Sequence, residues 1–187
     1  MRSSETSQHA EVRRVLRRWR RDRRGSAAVE FAFIAPMFFG MLFAIFEIIL
    51  TFLAGTVLDN GLQQSARKMF THYAADTNMT QADFTQDLCD RVSVLLECSK
   101  LRVNVSVSAA GDAIAILKPV TSDGTFVDKF TYQVPQPNTR ETVVVSAFYQ
   151  WPLFVTQLGY SIANIDPGTA NGKYLLASMV AFRVEPR

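Results

Sequence analysis

Apolar residues run almost unbroken from Phe31 to Leu58, 28 positions in which the one charge is Glu47. About 20 apolar residues cross a bilayer, and 28 at ~1.5 Å rise reach about 42 Å. The run therefore predicts a membrane-spanning helix that projects beyond the hydrocarbon core. A cleaved secretory signal would have an apolar core of about 7–15 residues and an A-x-A-like site. This run is too long for that, and Ala54-x-Thr56 is a poor site. Past the span, Leu58, Leu62, Ser65/Ala66 and Met69 recur at three- and four-residue intervals among Asp59, Gln63, Gln64, Arg67 and Lys68. That spacing predicts the helix continuing as an amphipathic stem. A break at Asn60–Gly61 would need more than a lone glycine, which costs about 1 kcal/mol. The stem is expected to end around Tyr73–Asn78.

The next apolar face, Phe84, Leu88, Val92 and Leu95, predicts a second helix over 80–96. Thr80 stands as its N-cap, with Asp83 completing a weak capping box. The period then changes to two. In LRVNVSVS (101–108), Leu101, Val103, Val105 and Val107 alternate with polar residues, the mark of a half-buried strand. AAGD turns the chain, and AIAIL (113–117) is expected to return as the hairpin partner. Residues 119–138 read as a loop with a short strand near Lys129–Gln133, and 152–172 as irregular. ETVVVSAFYQW (141–151) and KYLLASMVAFRV (173–184) are two further strands. The expected fold class is α+β: a long N-terminal transmembrane helix, extended into a stem, packed on a small antiparallel β-sheet. The expected divisions are a basic leader (1–25), the transmembrane helix (26–58) and an extracytoplasmic α+β domain (59–187).

Charge refines this picture. The net charge of +3 is concentrated at one end, where residues 1–24 hold nine arginines against Glu5, Glu11 and Asp22. A nucleic-acid arm would share that composition, but arginines flanking an apolar span set orientation and stay cytoplasmic. The C-terminal region is then expected in the periplasm of a bacterial inner-membrane protein. There, the two cysteines, Cys89 and Cys98, favour a structural disulfide. On one continuous helix they would stand ~13.5 Å apart, and a disulfide needs Cα atoms within about 7 Å. Either the helix unwinds near Leu95–Leu96 or the thiols stay apart.

Candidate chemistry is sparse. The histidines are His9 and His72, on opposite sides of the span, so they assemble no metal cluster. The sequence has no G-x-S-x-G elbow, phosphate loop or dinucleotide fingerprint. No enzyme activity, metal, cofactor, nucleic acid or small-molecule substrate is expected. The notable group is Glu30, a carboxylate at the mouth of the apolar run, behind Arg23, Arg24 and Gly25. Gly25 leaves the backbone unhindered for a protease at the membrane surface. Cutting there would place a new α-amino group on Ser26, a cation that could pair with Glu30. Alternatively, Glu30 sits solvated among headgroups near the arginines. Glu47, 17 residues further on, is expected to be solvated at the far interface.

RRGSAAVEFAFIAPMFFGMLFAIFEIIL, with Gly25 followed by Glu30 as the fifth residue, resembles the processing site and helix of class III prepilins. More narrowly, it resembles the TadE-like pseudopilins of the Tad/Flp pilus assembly system. Pro36 fits the same pattern. DLCDRVSVLLECS resembles that family's paired-cysteine segment, FYQWP its aromatic–proline segment, and LLASMVAFRVEP its closing strand. Val184 departs from the asparagine usual before Glu-Pro. The resemblance implies a pilin-like fold and cleavage of Gly25–Ser26 by a prepilin peptidase. It also implies Glu30 as the assembly carboxylate. Its implied partners are the membrane, that peptidase, other pilins or pseudopilins, and Tad inner-membrane assembly components. The competing reading is an unprocessed, membrane-anchored interaction subunit of an export or pilus machine.

Overall fold

The computed structural model describes residues 25–184, apart from positions 72, 110, 111, 113, 115, 137–140, 155–160 and 170. Residues 1–24 of the basic leader, both histidines and the closing Glu185–Arg187 lie outside the described residues. The chain divides into two compact units, Met1–Leu42 and Phe43–Arg187. Helix α1 is Ser26–Phe70, α2 is Tyr73–Asp76 and α3 is Gln81–Val92. Strands β1 (Leu101–Ser108), β2 (Thr142–Pro152) and β3 (Lys173–Arg183) form one antiparallel sheet in the order β1-β2-β3.

α1 persists for 45 residues because its sequence offers few interruptions. Pro36 removes one backbone hydrogen bond, and the helix runs through it. Thr51 and Thr56 turn their hydroxyls back to the carbonyls of Glu47 and Phe52, at 2.8 and 3.0 Å. Both hydroxyls thus find acceptors inside their own helix. Arg67 and Lys68 in the last turn complement the helix dipole.

In the first unit the large apolar side chains of α1 are exposed, Phe33 and Met37 each at 81%. In the second unit one stripe of α1 is buried: Glu47, Thr51, Ala54, Leu58, Gly61, Leu62, Ser65, Ala66 and Met69. Among the described residues, α1 is the helix long and apolar enough to cross a membrane. Surface of this kind has no stable place in water. It anchors the chain in a single pass.

The core of the second unit lies between the buried stripe of α1, the apolar face of α3 and one face of the sheet. Leu58, Leu62, Phe84, Leu88, Val92, Val105, Val143 and Val145 are all fully enclosed there. Each such side chain contributes about 1.5–3 kcal/mol relative to exposure. α3 starts where the sequence indicates. Asp83 N–H donates to Thr80 Oγ1 at 3.2 Å and Thr80 N–H donates to Asp83 Oδ2 at 3.0 Å, a reciprocal capping box.

α3 ends at Val92, four residues short of the expected limit, and Ser93 N–H returns to the Cys89 carbonyl. The chain turns through Leu95–Leu96 and enters a short 3₁₀ turn, Cys98–Lys100. That reversal brings the Cα atoms of Cys89 and Cys98 to 5.5 Å, and their sulfurs are bonded.

One expected pairing is absent. β1 pairs with β2, Leu101 opposite Tyr149 through Ser108 opposite Thr142, so AIAIL is not its hairpin partner. Ile114, Ile116 and Leu117 lie outside any strand. β2 offers a longer apolar partner, with Val143, Val145 and Ala147 entering the core together. The other edge of β1 is met by the segment expected as a short strand. Val105 N–H donates to the Thr131 carbonyl at 2.8 Å and Gln133 N–H to the Val105 carbonyl at 3.1 Å. Asn104 is buried by this strap, accepting from Thr131 N–H and Oγ1. Phe130 stacks on Phe148 from the same side, so β2 is buried on both faces.

Candidate functional site

In the first unit the features of interest sit within about a turn and a half, between Gly25 and Glu30. Gly25 is exposed and immediately precedes Ser26, the first residue of α1. A Cβ placed on Gly25 would meet nothing within 4 Å among the described residues. The Gly25–Ser26 bond therefore lies in the open at the helix start. Residues four apart on a helix share a face. Here Ser26 Oγ donates to Glu30 Oε1 at 2.9 Å, both side chains exposed. Ser26 and Glu30 are thus already neighbours, and a cation on Ser26 would arise on the face that Glu30 occupies.

The second carboxylate of α1 behaves otherwise. Glu47 is only 9% exposed, and its Oε1 accepts the backbone N–H of Phe154, just past β2. The expected solvated position is not observed, because the end of the sheet descends along α1 and covers it. The apolar sequence around Glu47 hides this, since a helix apolar on all sides carries no periodic sign of its packed face.

Elsewhere in the second unit polar groups hold elements together. Partial burial of Asp87 pushes its carboxyl up, but hydrogen bonds from Lys68 (2.8 Å) and Arg91 outweigh it and leave it below its ordinary value. Asp87 thereby clamps α3 to α1, with Arg91 also donating to Gln64 at 3.0 Å. Burial, then the nearby Asp83 charge, raises the Tyr132 hydroxyl to about 12. It stays protonated and donates to the Met79 carbonyl at 3.1 Å. These are structural roles.

The described residues contain no group of three or more His, Cys, Asp or Glu side chains placed to hold a metal ion. A cleft of about 600 Å³ beside the disulfide is lined by Thr80, Gln81, Cys89, Cys98 and Arg102 among others. It holds no nucleophile–base pair. A second cleft, about 720 Å³, runs between α1 and β3.

One family comparison bears on the first of these features. Residues 25–67 match the family described as TadE-like protein. This segment is similar to TadE-like proteins. The match begins at Gly25 itself and covers nearly all of α1, including Ser26, Glu30 and Pro36. A segment of this kind is consistent with a Tad-associated, pilin-like protein. The cysteine, aromatic–proline and closing-strand segments stand outside the TadE-like match. No curated protein and no solved structure matches the chain.

Proposed function

We propose that the chain is a minor pilin-like subunit that a prepilin peptidase cuts after Gly25 and that supports the initiation or assembly of Tad/Flp pili. The observation that carries this reading is the coincidence at the helix start. The TadE-like match opens at Gly25, α1 opens at Ser26, and Glu30 lies one turn on, against Ser26.

In this reading the arginine-rich leader holds the N-terminus on the cytoplasmic side, and the C-terminal domain is periplasmic. Cleavage removes the leader and gives Ser26 an α-amino group. Glu30 neutralises such an amine, its own or a neighbour's, when subunits pack by their apolar helices. Within low dielectric a carboxylate left alone would be costly, and the pair removes that cost. Its partners are the peptidase, other pilins or pseudopilins and the inner-membrane Tad components.

Deleting the coding sequence in a piliated strain tests this. Loss of pili on electron micrographs, restored by the full chain in trans, is expected. Unchanged piliation in the deletion overturns the reading.

A further inference from the structure

The sheet and α1 run side by side in a ladder of contacts. Phe70 meets Phe182 with ring centroids 5.8 Å apart. Ser178 Oγ donates to Asp59 at 2.7 Å, and a Cβ on Gly55 would touch Leu176 at 3.8 Å. The lowest rung is the Phe154 N–H held by Glu47. Counting about 20 residues of span from Phe31 ends at Leu50, so the sheet reaches a level of α1 that the bilayer still surrounds.

The residues at that end suit such a place. Phe154 is 73% exposed and Ile162 42%. Ile162 lines the cleft between α1 and β3 together with Ile48, Phe52 and Tyr174, and Phe154 follows β2 at the same end of the sheet. Tyr174 and Lys173, both half-buried, stand at the same end, at the start of β3, while Trp151 opposite Tyr174 turns into the core. A tyrosine ring with its polar edge suits the membrane–water boundary, and the Lys173 ammonium is held beside it by Gln150 at 2.9 Å.

We propose that this end of the sheet domain is a lipid-binding surface, with Phe154 and Ile162 seated among acyl chains just beneath the headgroups. Glu47 is the fastener that sets its depth. The backbone N–H it accepts would otherwise be desolvated without a partner at that level. The occupant is the bilayer because the surface is continuous with the exposed apolar flank of α1, where Phe46 and Phe52 are 53% and 78% exposed. The inference goes beyond pilus assembly and rests on the single-pass anchoring alone.

Collision accessibility of nitroxide labels tests it on the full chain in phosphatidylethanolamine–phosphatidylglycerol vesicles. Phe154→Cys and Ile162→Cys carry the probes. Phe38→Cys marks the span, and Ser122→Cys, on an exposed turn, marks water. Cys89 and Cys98 are bonded and do not take label without reductant.

Labels at 154 and 162 should meet oxygen several-fold more readily, relative to a water-soluble nickel chelate, than the label at 122. Values at 154 and 162 that track 122 while 38 stays in lipid overturn the proposal. Spin–spin broadening at 154 that vanishes on dilution with unlabelled chain also overturns it, in favour of a second copy. A water-like label at 38 removes the span itself, and the proposal with it.

Discussion

A chain carrying Glu30→Gln enters the membrane and loses its leader normally, yet supports few or no pili. Glutamine keeps the size of the side chain and can still accept from the Ser26 hydroxyl, which lies 2.9 Å from the native carboxylate. What it removes is the charge. In a single subunit Glu30 is exposed, so the substitution leaves the unfolding midpoint of the isolated protein unchanged. In an assembled state the amine opposite it would be left uncompensated in low dielectric. Breaking a buried pair in this way costs about 3–5 kcal/mol. At about 1.4 kcal/mol per factor of ten, that weakens each docking step by about two to three and a half powers of ten. Glu30→Asp keeps the charge with a shorter reach and is expected to restore part of the activity. Pilus counts on electron micrographs, with immunoblots of the membrane fraction, give the result. Normal piliation with Glu30→Gln would remove the pairing from the account.

Replacing Gly61 by leucine destabilises the folded domain by about 2–3 kcal/mol, the upper part of the range for overpacking a filled core. α3 packs directly onto α1 at this glycine. A Cβ built on Gly61 falls 2.5 Å from Val92 Cγ1 and 3.3 Å from Leu88 Cδ1. Both neighbours are fully buried, and Val92 has a stiff, branched side chain that cannot swing aside. Alanine gains about 1 kcal/mol of helix propensity there and loses it again to the contact with Val92. Gly40, where a new Cβ meets nothing within 4 Å, is the control. Thermal unfolding of the detergent-extracted chain should show a fall of roughly 6–10 °C for Gly61→Leu and none for Gly40→Leu. Equal midpoints for the two variants would contradict the packing of α1 on α3 described above.

Gly61 also illustrates where the sequence is legible and where it is silent. The apolar spacing of Leu58, Leu62 and Met69 announces the buried stripe of the stem, and the stripe is there. The same stripe continues down to Thr51 and Glu47, but in that stretch every face is apolar and no period stands out. The capping box at Thr80 and the alternation in β1 are local signals, and local chemistry preserves them. The partner of β1 is not a local matter. AIAIL is nearer in sequence, yet β2 supplies the longer run of core side chains and takes the place beside β1. Asn104 reads as a solvent-facing polar residue in an alternating strand. It is buried because Thr131, 27 positions away, covers it and satisfies its oxygen. Glu47 is the sharpest case, since its acceptor role depends on Phe154, 107 positions further along. At the helix start the reverse holds. Gly25, Ser26 and Glu30 lie within six residues, so their spacing could be read directly from the chain.

Proteolysis at Gly25 is the step from which the pairing role of Glu30 follows, and intact-mass spectrometry of the membrane-extracted protein tests it directly. From cells with an active prepilin peptidase the account predicts one mature species beginning at Ser26, its amine free or methylated. From cells lacking that peptidase it predicts the chain with residues 1–25 attached. A protein that keeps Met1–Gly25 while other prepilins in the same cells are cut would contradict it and favour a permanently anchored interaction subunit.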